Sequence, residues 1–151
     1  MGWLWVPVGV LVVLGVFGVW FALRQGPPAQ VARTLFEEQR EHLQVQFFEA
    51  AAASGKPRGL RWVECDWESR VELARERSTR RLAALVGVTI RFQAIEGSDM
   101  EGLPAVGNLR NASAVFFFDR GQWHTTGRAL FNVNPGEAFE RLAEQYERLQ
   151  T

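Results

Sequence analysis

Glu96, Asp99 and Glu101 place three carboxylates within six residues. Hard cations such as Ca²⁺ need oxygen ligands at that density, but the spacing fits no EF-hand loop, and a solvated acidic loop accounts for it without a metal. Arg75, Arg77, Arg80 and Arg81 form a second cluster, with Glu76 the one carboxylate among them. Such a group suits anionic headgroups, and it also suits a plain solvated turn. The histidines, His42 and His124, stand far apart, with no second ligand or nucleophile at a useful spacing. Cys65 is the single cysteine and has neither a disulfide partner nor a CxxC or CxH companion, so it reads as a buried, inert thiol. There is no G-x-S-x-G, P-loop, H-E-x-x-H or dinucleotide fingerprint. The sequence therefore names no catalytic, metal or cofactor-binding residue and implies no cofactor.

The chain has 151 residues, with 17 Lys+Arg against 17 Asp+Glu. A neutral domain has no general reason to bind nucleic acid. Every charged side chain lies after residue 23. Residues 3–23 (WLWVPVGVLVVLGVFGVWFAL) are long enough, at about 1.5 Å per residue, to cross a hydrocarbon core of about 30 Å. Trp3, Trp5 and Trp20 sit near the two ends, as in an aromatic belt, and Pro7 falls in the first turns, where a missing N–H costs least. No Lys or Arg precedes the run and no small-residue cleavage site follows it, so the expectation is an uncleaved anchor rather than a signal peptide. Val6 stands where a myristoylation motif needs Ser or Thr. Gly15, Gly18 and Ala22 share one helical face, a small-xxx-small arrangement that can serve helix association and is also ordinary in membrane spans. Arg24, Arg33 and Arg40 follow the span and none precedes it, which by the positive-inside rule puts the C-terminal domain in the cytoplasm.

The organisation expected is an anchor at 1–24, a linker at 25–29 (QGPPA) and one α+β domain at 30–151. A long amphipathic helix runs from about 28 to 54. Its apolar face carries Val31 or Ala32, Leu35 and Phe36, Leu43, Phe47 and Ala50 or Ala51, and Gly55 then Pro57 end it. From residue 60 the apolar period drops to two. Strands are expected at 60–66, 70–77, 82–95, 112–118 and 123–131, making an antiparallel sheet of about five strands joined by hairpins. Gly87 marks a bend or bulge in the longest of them. Residues 96–110 form one long Gly-rich loop, the place to look first for function. A last helix opens at Asn134, Pro135 and Glu137, with Ala138, Phe139, Leu142, Tyr146 and Leu149 on its apolar side to the end of the chain. The many aromatics, Phe116, Phe117 and Phe118 among them, require either that both sheet faces be covered or that one present an apolar patch.

Across residues 29–132 the order of long helix, antiparallel hairpins and a late Gly121-Gln122-Trp123 hairpin resembles the cystatin-like or nuclear-transport-factor-like rolls. That resemblance implies a sheet wrapped around a helix, with a cone between them that serves as a ligand pocket or a dimer face. It also implies that enzymes of the superfamily use Asp/His pairs within the cone. Residues 106–110 (VGNLR) and 127–132 (GRALFN) also look like small membrane proteins of GC-rich bacteria, a resemblance that implies no activity. The function expected is a single-pass membrane protein whose domain binds another membrane protein or a second copy of itself. A carrier of small apolar ligands is the alternative, and an enzyme built in the same cone is a further one.

Overall fold

The computed structural model describes residues 5–24 and 26–150, with side chains for 9–20 and 26–150. Among the described residues the chain is α+β: helices α1 (Trp5–Arg24), α2 (Ala29–Ala53) and α3 (Pro135–Arg141), and one antiparallel sheet. The strands are β1 (Leu60–Glu76), β2 (Leu82–Ala94), β3 (Arg110–Asp119), β4 (Gln122–His124), β5 (Ala129–Phe131) and β6 (Tyr146–Arg148). Their order is β4-β3-β2-β1-β6, with β5 beside β4 on the free edge of β3.

α1 continues the apolar run, and its residues 10–14 carry large side chains open to solvent. Among the described residues no helix is long and apolar enough to cross a membrane. The side chains described for α1 are those of residues 9–20, about 18 Å of helix. Trp3 and the side chains of Trp5, Ala22 and Leu23 lie outside the described residues.

α2 buries the face its spacing predicts: Ala32, Phe36, Leu43, Phe47 and Ala51. They meet the even-numbered residues of β2 (Leu82, Ala84, Val86, Val88, Ile90 and Phe92) and Trp62, Phe116 and Trp123 from β1, β3 and β4. Side chains alternate across a strand, so Ala83 and Leu85 point the other way. There they join Ala74, Val115, Phe117, Val133, Ala138 and Tyr146 in a second core under α3 and β6. Both faces are thus covered at this end of the sheet, which answers the opposed directions of Phe116 and Phe117. Gly55, at φ +66°, ends α2 as expected, and Ser54 Oγ donates to Ala51 O over 2.6 Å.

Three expectations need correction. The stretches 60–66 and 70–77 are one strand, not two. Between Trp67 and Val71 the register against β2 slips, so three residues of β1 face only Gly87. A Cβ on Gly87, opposite this bulge, would meet the Glu68 carboxylate, the far end of an exposed side chain that can swing aside. The carbonyls this bulge exposes are taken by α2: Arg40 donates to Glu68 O (3.2 Å) and Ser69 O (2.7 Å), and Arg33 to Val71 O (3.0 Å).

The strand expected at 123–131 is broken into β4 and β5. Between them Thr125 Oγ1 donates to Val115 O and Val115 N–H donates to Arg128 O, so side chain and backbone together continue the ladder of β3. The merger and the split cancel, and the sixth strand of the sheet is β6, where a helix was expected.

The last helix stops at Arg141, and the chain returns as β6 against β1. Tyr146 packs into the core under α3 while Leu149 packs against the core under α2. One helical stripe cannot serve two opposite sheet faces; an extended edge segment can. Asn134 makes no side-chain cap bond; its amide instead reaches Glu137 Oε1 at 3.5 Å.

Candidate interaction surface

The space between α2 and the sheet is filled by aromatic rings. Phe36 meets Phe116 and Trp123 edge-on at centroid distances of 5.1 and 5.3 Å. Phe47 meets Trp67 at 5.2 Å, and Trp62 meets Phe92 at 5.1 Å. Edge-to-face contacts of this kind are favourable for aromatic quadrupoles. The two buried indoles are hydrogen-bonded: Trp62 Nε1 donates to Lys56 O (2.8 Å) and Trp123 Nε1 to Ala32 O (3.0 Å). No buried side-chain polar atom among the described residues lacks a partner. Where the 96–110 loop crosses the sheet, Leu60, Phe92, Met100, Leu103, Val106 and Arg110 line a cleft of about 50 Å³. Small-molecule sites generally occupy about 300–1,000 Å³.

The two ends of the sheet differ. At one end lie the α2–β1 connection, the 96–110 loop and the end of β5; this is the loop end. Apolar side chains are exposed there: Ile95 (49%), Leu103 (48%), Leu109 (53%) and Phe131 (37%). Phe131 lies 6.2 Å from Phe92 and 6.3 Å from Trp62, so the buried aromatic network continues to the surface. The sequence pointed to the loop that carries Leu103 and Leu109 and counted Phe131 among the surplus aromatics, but it did not bring them together.

At the other end, the turn end, are the β1–β2 and β3–β4 turns. The structure gathers Arg75, Arg77, Arg80 and Arg81 there and gives them work within the fold. Arg77 donates to Ala143 O (2.7 Å) and lies 4.0 Å from Glu147; Arg80 is 3.4 Å from Glu147; Arg81 is 3.3 Å from Glu76 and stands over the Phe117 ring at 4.5 Å. Arg75 donates to Arg80 O (3.0 Å). These contacts tie β6 and the tight turn in place. Gly15 and Gly18 have open space around them, and Ala22 lies outside the described side chains.

The remaining candidates are dispersed. Glu101 accepts a hydrogen bond from Gly97 N–H (2.8 Å) and so organises its own loop. Among the described residues no group of three His, Cys, Asp or Glu could hold a metal ion. His42 shares a hydrogen bond of 2.9 Å with Gln46 on the exposed side of α2, and His124 is exposed on β4. Burial, reinforced by the neighbouring charges of Asp66 and Glu64, pushes the Cys65 thiol up to about 12. That suppresses the thiolate and its nucleophilicity.

Comparison with protein families, with curated proteins and with solved structures gives no match.

Proposed function

We propose that this is a single-pass membrane protein whose α+β domain binds another protein, or a second copy of itself, next to the bilayer without catalysing a reaction. The filled interior carries the reading. A carrier needs an apolar cavity of several hundred Å³, whereas the cleft beside the loop measures about 50 Å³. An enzyme needs converging acid, base or nucleophile groups, whereas His124 and the carboxylates of the loop stand apart. A closed core with apolar side chains exposed at the loop end is what an interaction module requires.

The anchor rests on the sequence: residues 3–23 carry no charge and have tryptophans at both ends. The arginines after the run favour a cytoplasmic domain. The resemblance to the cystatin-like and nuclear-transport-factor-like rolls accords with a long helix lying on an antiparallel sheet, and here the place of a cone is taken by side chains. Self-association through Gly15, Gly18 and Ala22 belongs to the same proposal, and Gly18→Leu weakens it in a membrane two-hybrid assay.

A photo-crosslinking side chain at Leu103 or Phe131 of the full chain, in its own membrane, tests the reading. The expected result is one adduct of defined mass, missing from a control probe at exposed Glu41. A purified chain that stays monomeric and gives no adduct at either position refutes it.

A further inference from the structure

The start of α2 lies at the turn end. Ala29 packs against the core, Trp123 Nε1 donates to Ala32 O, and Phe36 packs on Trp123, one residue past the β3–β4 turn. Leu82, just after the β1–β2 turn, pairs with Phe118, which in turn pairs with Trp123. Residues 24–28 separate the run 3–23 from α2, and the six steps from residue 23 to Ala29 reach at most about 22 Å. If residues 3–23 cross the bilayer, the turn end must therefore sit within that reach of its surface.

We propose that the turn end rests on the anionic phospholipid headgroups of the same bilayer; this depends on the anchor reading above. The first turn carries Arg75, Arg77, Arg80 and Arg81 with Glu76, and the second carries Asp119 and Arg120. Glu144 and Glu147 come from the C-terminal segment. Guanidiniums still outnumber carboxylates, five to four, and Arg24 adds another at the end of α1. The side chains of Arg77, Arg80, Arg81 and Arg120 are 49, 62, 45 and 92% exposed. The contacts of Arg77 and Arg80 with Glu147 and of Arg120 with Asp119, at 3.4 to 4.0 Å, are open to water and screened, whereas Glu76, the partner of Arg81, is mostly buried. A guanidinium has five N–H donors, so the one or two hydrogen-bonding partners of Arg77, Arg80 and Arg81 leave donors for a phosphate. The short tether holds these groups at high effective concentration against the membrane, so modest individual attractions suffice.

The test uses the full chain, with Cys65→Ala, in lipid nanodiscs that carry a headgroup-chelated paramagnetic ion. A spin label is placed at Gln122→Cys on the turn end or at Asp99→Cys on the loop end. In anionic discs the label at residue 122 relaxes at least about threefold faster than that at 99, and the contrast shrinks in zwitterionic discs and in added salt. It also shrinks in the pair Arg80→Asn and Arg120→Asn, chosen because both positions have positive φ (61° and 50°), which Asn tolerates. Equal relaxation at the two sites in an incorporated chain overturns the proposal alone, as does a contrast indifferent to lipid charge. A chain that does not enter the discs overturns the anchor reading and this proposal together.

Discussion

Gly127 lies directly against the backbone of Ala51. A Cβ at Gly127 would come within van der Waals overlap of Ala51 N and of the Ala50 carbonyl carbon, and Gly127 itself has φ +74°. The excursion between β4 and β5 thus fits against the last turns of α2 only because residue 127 has no side chain. Gly127→Ala adds both a left-handed strain and a backbone clash, and should destabilise the domain by about 2–4 kcal/mol. Denaturant unfolding of the full chain in detergent measures it; a loss under about 0.5 kcal/mol would mean the contact yields freely.

Arg40 joins α2 to the bulge of β1. It donates to Glu68 O and Ser69 O and makes two 2.7 Å bonds to Glu37. Arg40→Met keeps the aliphatic stem and removes the donors; the expected cost is about 1 kcal/mol, since water can reach the freed carbonyls. The hydrogen bonds from Arg40 hold the Glu37 carboxyl below its ordinary 4.5. A depressed carboxylate stabilises the fold above its unfolded pKa, and that contribution is lost as pH falls through the lowered folded value. The stability difference between the wild type and Glu37→Gln should therefore be present at neutral pH and fade in acid below 4.5. It should not exceed about 0.5 kcal/mol, because the Glu37 carboxylate is exposed to solvent. Thermal scans across that range read both effects.

Cys65 should react slowly. With its thiol pushed up to about 12, little thiolate is present at pH 8; its greater basicity offsets part of that scarcity, so alkylation should be at least about tenfold slower than in the unfolded chain. Mass spectrometry after timed iodoacetamide exposure, native and in denaturant, gives the ratio. Equal rates would show that the thiol is neither shielded nor shifted. Cys65 is accordingly a poor accessibility probe for topology, and an introduced exposed cysteine serves better.

Tyr146 closes the core under α3, almost fully buried, with its hydroxyl accepting from Arg128 Nη1 at 3.3 Å. Tyr146→Ala should cost about 3–5 kcal/mol and release β6 from β1, whereas Tyr146→Phe should cost about 1 kcal/mol or less. Hydrogen exchange at Glu76 and Arg77 separates loss of β6 from global unfolding: Arg77 N–H donates to Gln145 O and should lose protection first.

The elements legible in the sequence were those whose apolar period matches a single burial environment. α2 shows its face at i, i+3/i+4 spacing because one sheet covers it throughout, and β2 shows alternation because its two sides meet different cores. Elements shaped by distant partners were hidden. The carbonyls of the 68–70 bulge are held by Arg40, 28 and 29 residues away, so the local sequence of β1 reads as a gap. Residues 142–149 have helical spacing, but Tyr146 and Leu149 are claimed by opposite faces of the sheet. The arginine cluster was visible as a cluster. Its grip on Ala143 and Glu147 was not, because it depends on where the last strand lands. The loop and the surplus aromatics were visible, but their grouping was not, since Leu103, Leu109 and Phe131 come to one sheet end only after β3 is placed.

The central claim is that the domain works while held to a bilayer by residues 3–23. Alkaline carbonate washing of membranes from cells that express the full chain tests it most directly. The account predicts that the protein stays in the membrane pellet and enters solution only with detergent. Release of the full chain into the carbonate supernatant would contradict it.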